Sequence, residues 1–244
     1  MLLSKLIVLD TVDSTNNYVA NILKTQQIRH GTAILSYNQQ NGRGQRGTNW
    51  LSEPYKNIAF SIFLKHTNKL FSDAQYLSYA VALATKDFFL THKINAKIKW
   101  PNDLLVDSKK IAGILIENQV ANTQLASSIV GIGINVNQVF SDDVSLTATS
   151  MTKLQNKIFN LETLIYELAE CIEKRYFQFQ QNKYDLLLND FLAAMWKKGE
   201  WVDTEIGGKS YSVKIEGVNE NGYLLLNFEG NSTAFDIKEV KFLY

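Results

Sequence analysis

The sequence changes character at about residues 196–200, and this change constrains the fold more than any other feature. Before it, apolar residues recur at helical spacing and in strand-like runs, without strict alternation of the two. After it come short strand-like runs separated by glycine turns, at Gly207-Gly208, Asn221-Gly222 and Gly230. We therefore expect an α+β domain with a mixed sheet over residues 1–197 and a small β domain over residues 198–244.

Individual elements follow from the same patterns. The expected strands are residues 6–9, 32–37, 57–64, 96–100, 104–106, 111–117, 127–136, 201–206, 211–218, 223–228 and 234–237. The expected helices run from the N-capping residues after Asp13 to about residue 27, and over residues 72–90, 160–181 and 183–196. Residues 38–52 are predicted to form a long loop, and residues 137–150 are predicted to be turn-like.

Composition narrows the class of protein. The net charge is +1, so no global electrostatic argument favours nucleic acid as a partner. Cys171 is the one cysteine, which excludes an internal disulfide and suits a reducing compartment. The first ten residues lack the features of a signal peptide, and no stretch approaches the roughly 18 apolar residues of a membrane span. We expect a cytoplasmic globular protein that contacts no membrane.

Residues 39–50 carry the strongest single signal. They contain Gly42, Gly44 and Gly47 together with Arg43 and Arg46. Glycines let backbone N–H groups approach a ligand, and arginines add charged donors that match phosphate or carboxylate. The pattern therefore favours an anion site, although a solvated surface loop explains it equally well. It lacks the Gly-Lys-Ser/Thr ending of a P-loop, and it is not a Gly-x-Gly-x-x-Gly segment followed by a helix, so neither standard nucleotide fingerprint applies.

Three further segments carry weaker signals. Lys99-Trp100-Pro101-Asn102-Asp103 places a proline and two polar residues at a break between strands, which alone is more typical of an ordinary turn. Lys110-Ile111-Ala112-Gly113 puts a glycine inside an apolar strand, where another group packs closely. Gly131-Ile132-Gly133-Ile134-Asn135 strips one strand face of side chains. A flat bicyclic ligand or close packing of another element would account for that face.

In this order, the motifs resemble the catalytic domain of biotin protein ligases. Five segments carry the resemblance: Val12-Asp13-Ser14-Thr15-Asn16, Gly42-Arg43-Gly44-Gln45-Arg46-Gly47, Lys99-Trp100-Pro101-Asn102-Asp103, Lys110-Ile111-Ala112-Gly113-Ile114-Leu115 and Gly131-Ile132-Gly133-Ile134-Asn135. The resemblance implies a catalytic domain like that of class II aminoacyl-tRNA synthetases and an SH3-like C-terminal barrel. It also implies ATP, biotin and Mg²⁺ as cofactors and substrates, with no metal ligands assigned to the protein.

The family's chemistry runs in two steps. Biotin's carboxylate attacks the α-phosphate of ATP, and a lysine of a biotin carboxyl carrier protein then attacks the resulting biotinyl-adenylate. By resemblance, Lys110 and Arg43 act electrostatically on the reacting oxygens, and Asp103 aligns the incoming amine or takes its proton. Trp50 is expected to stack near adenine and Asn135 to hydrogen-bond it. The expected binding residues are Ser14, Thr15, Asn16, Gln39, Gly42, Arg43, Gly44, Arg46, Gly47, Trp50, Asn102, Lys110, Gly113, Gly131, Gly133 and Asn135.

The chain departs from the family pattern at the loop and at its C-terminus. Many members have arginine at the positions of Gln45 and Thr48, and some have an arginine near the C-terminus, where this chain ends Val240-Lys241-Phe242-Leu243-Tyr244. We expect weaker retention of the adenylate, and contact of the small domain with ATP is left open.

The same sequence features bear on two alternative functions and on the expected partners. A lipoate ligase would carry an Arg-Arg-x-Ser/Thr-Gly-Gly-Gly loop, which this sequence lacks. A non-catalytic biotin-binding module would not need cations matched to phosphates. About a dozen residues precede Asp13, too few for the DNA-binding domain of some family members, so we expect no DNA partner. A homodimer through an exposed sheet edge remains an option.

Overall fold

The computed structural model describes residues 2–228 and 230–243, without the side chains of Arg46 and Asp142. Its strands are β1 (Lys5–Val12), β2 (Thr32–Gln39), β3 (Gly42–Arg43), β4 (Asn49–Trp50), β5 (Ile58–Lys65), β6 (Lys97–Lys99), β7 (Asp103–Val106), β8 (Lys109–Ala121), β9 (Gln124–Ile134), β10 (Trp201–Ile206), β11 (Lys209–Val218), β12 (Leu224–Phe228), β13 (Asn231–Phe235) and β14 (Val240–Phe242). Its α-helices are α1 (Thr15–Thr25), α2 (Ala74–Thr91), α3 (Asp142–Ser145), α4 (Met151–Gln155), α5 (Leu161–Gln180) and α6 (Tyr184–Ala194), and its 3₁₀ turns are Gln45–Gly47 and Phe71–Asp73.

Within these residues, a mixed sheet of seven strands has the order β1-β2-β5-β9-β8-β7-β6. β1 and β2 are parallel, and the other neighbours in this sheet are antiparallel. A second, antiparallel sheet has the order β13-β12-β11-β10-β14. These observations confirm the expected α+β class with a mixed sheet, packed helices and a C-terminal antiparallel sheet.

The large sheet buries both of its faces because its central strands are apolar at consecutive positions. Phe60, Ile62 and Ile132 belong to the main core with α2 and α5. Phe63 and Ile129 point the other way and pack under Val19 of α1. Because side chains alternate along a strand, Gly131 and Gly133 lie on the α1 face with Ile129. The cavity described below opens on that face, at the first turn of α1.

The structure differs from the expectations in short elements. The predicted loop over residues 38–52 contains the β3–β4 pair and a 3₁₀ turn, and residues 137–150 contain α3. The strand β14, which was not expected, pairs with β10. Each of these elements has two to four residues, too few for a hydrophobic period to appear. Among the described helices, none is long and apolar enough to cross a membrane.

Candidate active site

A cavity of about 670 Å³ lies where the first turn of α1, the loop of residues 42–50, the turn of residues 100–102 and strands β8 and β9 meet. Its size is within the range of about 300–1,000 Å³ that small-molecule sites occupy. It brings together segments that are more than 100 residues apart in sequence, from Ser14 to Gly133.

The floor of the cavity is a pair of glycines on adjacent strands. Gly113 of β8 and Gly133 of β9 are direct cross-strand partners. The indole of Trp50 lies on this floor, so a Cβ atom at Gly133 would be 2.5 Å from the ring, and one at Gly113 would be 3.2 Å from it. The predicted flat face is therefore present, and in this structure it holds a flat bicyclic side chain. Within the described residues, the buried Nε1 of Trp50 has no hydrogen-bond partner.

The first turn of α1 forms a buried polar wall beside this floor. Thr15 N and Oγ1 donate to Gln39 Oε1, at 2.9 and 3.2 Å. Ser61 Oγ lies 2.7 Å from Thr15 Oγ1 and 2.6 Å from Asn16 Oδ1. Asn16 also donates through Nδ2 to Glu117 Oε2 at 2.8 Å. These bonds lock the side chains that the sequence predicts to hold a ligand, which keeps the wall in one geometry.

Cations surround the cavity. Lys110 Nζ is 2.6 Å from Asp103 Oδ1 and 5.5 Å from the centre of the Trp50 ring. Arg43 bonds Glu117 Oε1 through Nη2 at 2.9 Å and Asn17 Oδ1 through Nη1 at 2.6 Å. The remaining cations on the wall are Lys99, Lys238 and Lys241. Among the described lining residues, Asp103 is the one carboxylate. This imbalance suits a polyanion such as a nucleotide.

The turn of residues 100–102 fixes the position of Asp103. Asn102 Nδ2 donates to Ile114 O at 2.6 Å, and Ile114 N donates to Asn102 O at 3.0 Å. These bonds continue the β7–β8 pairing, in which Asp103 faces Gly113. The Trp100–Pro101 peptide bond is cis. On the other side, Trp100 Nε1 donates to Gly222 O at 3.0 Å, which ties the turn to the C-terminal sheet.

The C-terminal sheet also supplies part of the wall, a contribution the sequence did not reveal. The residues that contribute are Ile237, Lys238, Val240, Lys241 and Phe242. Phe242 packs edge-on against Trp196, with ring centres 5.7 Å apart, and Lys99 Nζ lies 5.6 Å from the Phe242 ring. Near the C-terminus, where some family members have an arginine, the cations that line the cavity are therefore Lys238 and Lys241.

Most of the predicted site residues come together. Those that line the cavity are Ser14, Thr15, Asn16, Gln39, Arg43, Gly44, Trp50, Asn102, Asp103, Lys110, Gly113, Gly131 and Gly133. Three others do not line it: Gly42, Gly47 and Asn135. Asn135 is buried behind the wall, where its Nδ2 bonds the carbonyl oxygens of Lys110 and Thr149. Its bond to adenine stays a prediction, and the predicted Arg46 side chain lies outside the described part of the chain.

Glu117 and Asn17 were missed, although one signal was present in the sequence. Glu117 falls four residues after Gly113 in the same strand, so the two-residue period places it on the same face. Asn17 follows the Ser14-Thr15-Asn16 motif directly. Together they hold Arg43 over the site.

Comparison with known proteins now decides the family. Residues 8–135 match the family described as biotin/lipoate A/B protein ligases, which is more than half of the 244 residues. The chain belongs to this family. The matched stretch runs from β1 to β9 and includes the polar wall, the loop and the glycine floor.

Individual relatives extend the likeness to most of the chain. The bifunctional ligase/repressor BirA of Bacillus spizizenii is 29% identical over 91% of this chain and 69% of its own length. The biotin–[acetyl-CoA-carboxylase] ligase of Paracoccus denitrificans is 29% identical over 94% of this chain and 97% of its own. The structure of the Aquifex aeolicus biotin protein ligase in complex with biotin and ATP matches with a TM-score of 0.78, at 27% identity, over 98% of this chain and 99% of that one.

Proposed function

We propose that this chain is an ATP-dependent biotin–protein ligase. It forms biotinyl-5′-AMP and diphosphate from biotin and ATP, and then transfers biotin to a lysine of a biotin carboxyl carrier protein. The observation that carries the proposal is one cavity that combines a floor of paired glycines with cations on several sides. The relatives named as biotin ligases, one solved with biotin and ATP, support the choice of substrates.

The first step brings two anions together, so positive charge must lie between them. Lys110 is placed for this because it borders both the glycine floor and the turn of residues 100–102. Asp103 holds its ammonium group at 2.6 Å, so little reorganisation is needed when charge moves onto the α-phosphate and the leaving diphosphate. Arg43 adds a second cation from the loop.

In the second step the amine of the acceptor lysine attacks the acyl carbonyl of the adenylate. A C–N bond forms, the C–O bond to phosphate breaks, and AMP leaves with the electron pair of that bond. Asp103 is the carboxylate on the described wall that can align the amine and take its proton. Lys110, its partner, remains beside the departing phosphate and neutralises it.

The remaining assignments are part of the same proposal. The polar wall of Ser14, Thr15 and Gln39 holds the ureido ring of biotin, and Trp50 moves from the floor to stack on adenine. Mg²⁺ enters with ATP, since Mg²⁺ usually binds through phosphates and one or two carboxylates. In the described residues, no group of three or more potential metal ligands occurs.

We also propose the finer architectural details. The main sheet is of the class II aminoacyl-tRNA synthetase type, and the C-terminal strands form an SH3-like barrel, with the domain boundary between residues 197 and 198. We further propose a cytoplasmic location for the enzyme. A homodimer is compatible with β1, an edge strand of the large sheet.

Biotin-dependent exchange of labelled diphosphate into ATP tests the function. We expect exchange with biotin and none with lipoate, followed by labelling of an apo carrier domain. Exchange with lipoate would indicate lipoate ligation, and biotin binding without exchange would indicate a binding module. Either result would overturn the proposal.

A further inference from the structure

A second cavity, of about 290 Å³, adjoins the first. It lies between α2, the C-terminal half of β8 and the C-terminal sheet. The residues that line both cavities are Gln45, Trp100, Pro101, Asn102, Ile114 and Ile237. The turn of residues 100–102 is thus a partition with a different space on each side. Asp103 directly follows this partition on the first side, and Lys110 lies 2.6 Å from its carboxylate there.

The second cavity has a different chemistry from the first. Its described lining contains no lysine or arginine, and Asp236 is the one charged residue there. Its polar groups are mostly carboxamides and hydroxyls, and they are Gln45, Gln75, Ser78, Tyr79, Asn102, Asn118, Asn221 and Tyr223. Phosphate binding needs positive charge, so this space does not suit a nucleotide. Carboxamides and hydroxyls, which both donate and accept, suit the main-chain amides of a polypeptide.

Tyr79 gives an independent sign that a ligand belongs there. The residue is 4% exposed, and its hydroxyl has no hydrogen-bond partner among the described residues. Its ring is fixed by Phe191, with ring centres 4.2 Å apart, and by Tyr76, at 5.9 Å. Burial raises the pKa of Tyr79, so the hydroxyl stays protonated and able to donate. A buried hydroxyl without a partner costs free energy, which a bound acceptor group would recover.

Gly222 covers that hydroxyl in this structure. Gly222 also lines the second cavity, and a Cβ atom built on it would be 3.5 Å from the Tyr79 hydroxyl and 3.3 Å from Gln75. Its φ of +81° lies in the region that favours glycine. The backbone of the C-terminal sheet is therefore held close to the hydroxyl, by the Trp100–Gly222 bond and by Gln75 Nε2 donating to Glu220 O at 2.6 Å.

We propose that the second cavity binds the polypeptide segment next to the acceptor lysine, and that the turn of Gly222 moves on binding so that Tyr79 donates a hydrogen bond to a main-chain carbonyl of that segment. The inference rests on the proposed function, because an acceptor protein is needed. Docking there would bring the lysine over the partition to Asp103. Recognition of uncharged main chain would also keep acceptor binding separate from nucleotide binding.

The substitution Tyr79→Phe isolates the hydroxyl and leaves the ring packing intact. We expect the KM for an apo biotin carboxyl carrier domain to rise about five- to tenfold, as for one lost hydrogen bond with a buried partner. Biotin-dependent diphosphate exchange should not change, and neither should biotin transfer to hydroxylamine, a nucleophile too small to use the second cavity. The midpoint of thermal unfolding should stay the same or rise, because an unpaired buried hydroxyl has been removed.

Tyr76→Phe is the matched control, since Tyr76 contacts Tyr79 but does not line the cavity. It should leave the carrier KM unchanged. Ser78→Leu, which adds bulk to the same cavity from α2, should raise the carrier KM further without slowing exchange. An unchanged carrier KM in both Tyr79→Phe and Ser78→Leu would overturn the inference, as would an equal loss of exchange. If the carrier KM is unchanged while diphosphate exchange continues, this inference is wrong but the proposed function still holds. If the wild-type protein shows no biotin-dependent exchange, both the proposed function and this inference are overturned.

Discussion

The main cavity has two walls of different construction. The strand wall consists of β8, β9 and the first turn of α1, where Ile114 and Ile132 are buried and the polar side chains bond one another. In the loop wall, residues 42–50, Gly42 is the one buried residue among those described. It is held by the β3–β4 pair, by a tight turn in which Gly44 N donates to Thr48 O at 2.6 Å, and by the contacts of Arg43.

Because the two walls are built differently, we expect them to have different roles in the reaction. A wall whose geometry is already set can stabilise developing charge without reorganising, which favours the chemical step. A loop with few tertiary bonds can open and close, which controls entry, retention and exclusion of water. Substitutions in the strand wall should therefore reduce binding and adenylation, whereas substitutions in the loop wall should mainly change how long the adenylate stays bound.

The largest effect is expected for Lys110→Met, which keeps the length of the side chain and removes its charge. Loss of one preorganised charge at a reacting oxygen costs about 10²–10³-fold in rate. Single-turnover adenylation should slow by that factor. Lys109→Met is the control, because Lys109 donates to Ser145 O and does not line the cavity. Similar rates for the two variants would remove Lys110 from the mechanism.

Gly133→Ala should come next, with a loss of affinity of about tenfold or more. The indole of Trp50 marks the space that the ligand takes on the floor once Trp50 moves away, and a methyl group at Gly133 would lie 2.5 Å from the atoms in that space. Overpacking of this kind costs about 1–3 kcal/mol. Gly113→Ala is the matched comparison, because its nearest contacts, at 3.2–3.3 Å, include the flexible end of Lys110. Calorimetric titration of biotin and of biotinyl-adenylate should give the larger loss for Gly133→Ala. The reverse order would show that the floor does not carry the ligand.

A smaller effect is expected for Lys241→Met on the C-terminal sheet. The Lys241 side chain is 71% exposed, and its Nζ lies 3.7 Å from Glu205 Oε2. Removing so exposed a charge should raise the KM for ATP by about two- to fivefold. Transfer from supplied biotinyl-adenylate should not change. Lys209→Met, on the same sheet but outside the cavity lining, serves as control. An unchanged KM for ATP would mean that the C-terminal sheet does not contact the nucleotide.

The smallest effect is expected for Gln45→Arg, which restores a charge that many family members carry in the loop. Gln45 lines the cavity, so an arginine there would add a cation near the phosphate. An exposed charge pair contributes about 0.2–1 kcal/mol, which corresponds to a release of adenylate slowed by about 1.5- to fivefold. Stopped-flow displacement of biotinyl-adenylate measures this rate, and equal rates in the two proteins would refute the expectation.

The two walls also differ in how far they could be predicted. In the strand wall, apolar runs mark β8 and β9, Gly113 interrupts the first, and Gly131 and Gly133 interrupt the second at positions that the two-residue period assigns to one face. Local sequence is sufficient there because each strand carries its own pattern. That Gly113 and Gly133 are cross-strand partners depends on the strand register, which the sequence does not specify. In the loop wall, glycines and arginines indicated an anion site. However, the β3–β4 pair and the position of Trp50 on the floor depend on tertiary contacts.

Features that arise between distant segments were not predictable from local patterns. Lys238 and Lys241 reach the cavity only because the two sheets pack together through Trp100 and Phe242. The second cavity has the same origin, since α2 and the C-terminal sheet contribute to it together.

One variant tests the division between the walls most directly. Arg43→Gln removes two side-chain bonds that tie the loop to Glu117 and Asn17, and it substitutes no residue of the strand wall. The measurement is the dissociation rate of preformed biotinyl-adenylate, alongside the Kd for biotin without ATP. The division predicts release faster by about tenfold or more, as for the loss of a charged hydrogen-bond pair, with the Kd for biotin changed less than twofold. Unchanged release together with weakened biotin binding would contradict it, because the loop would then be part of the recognition surface and not its cover.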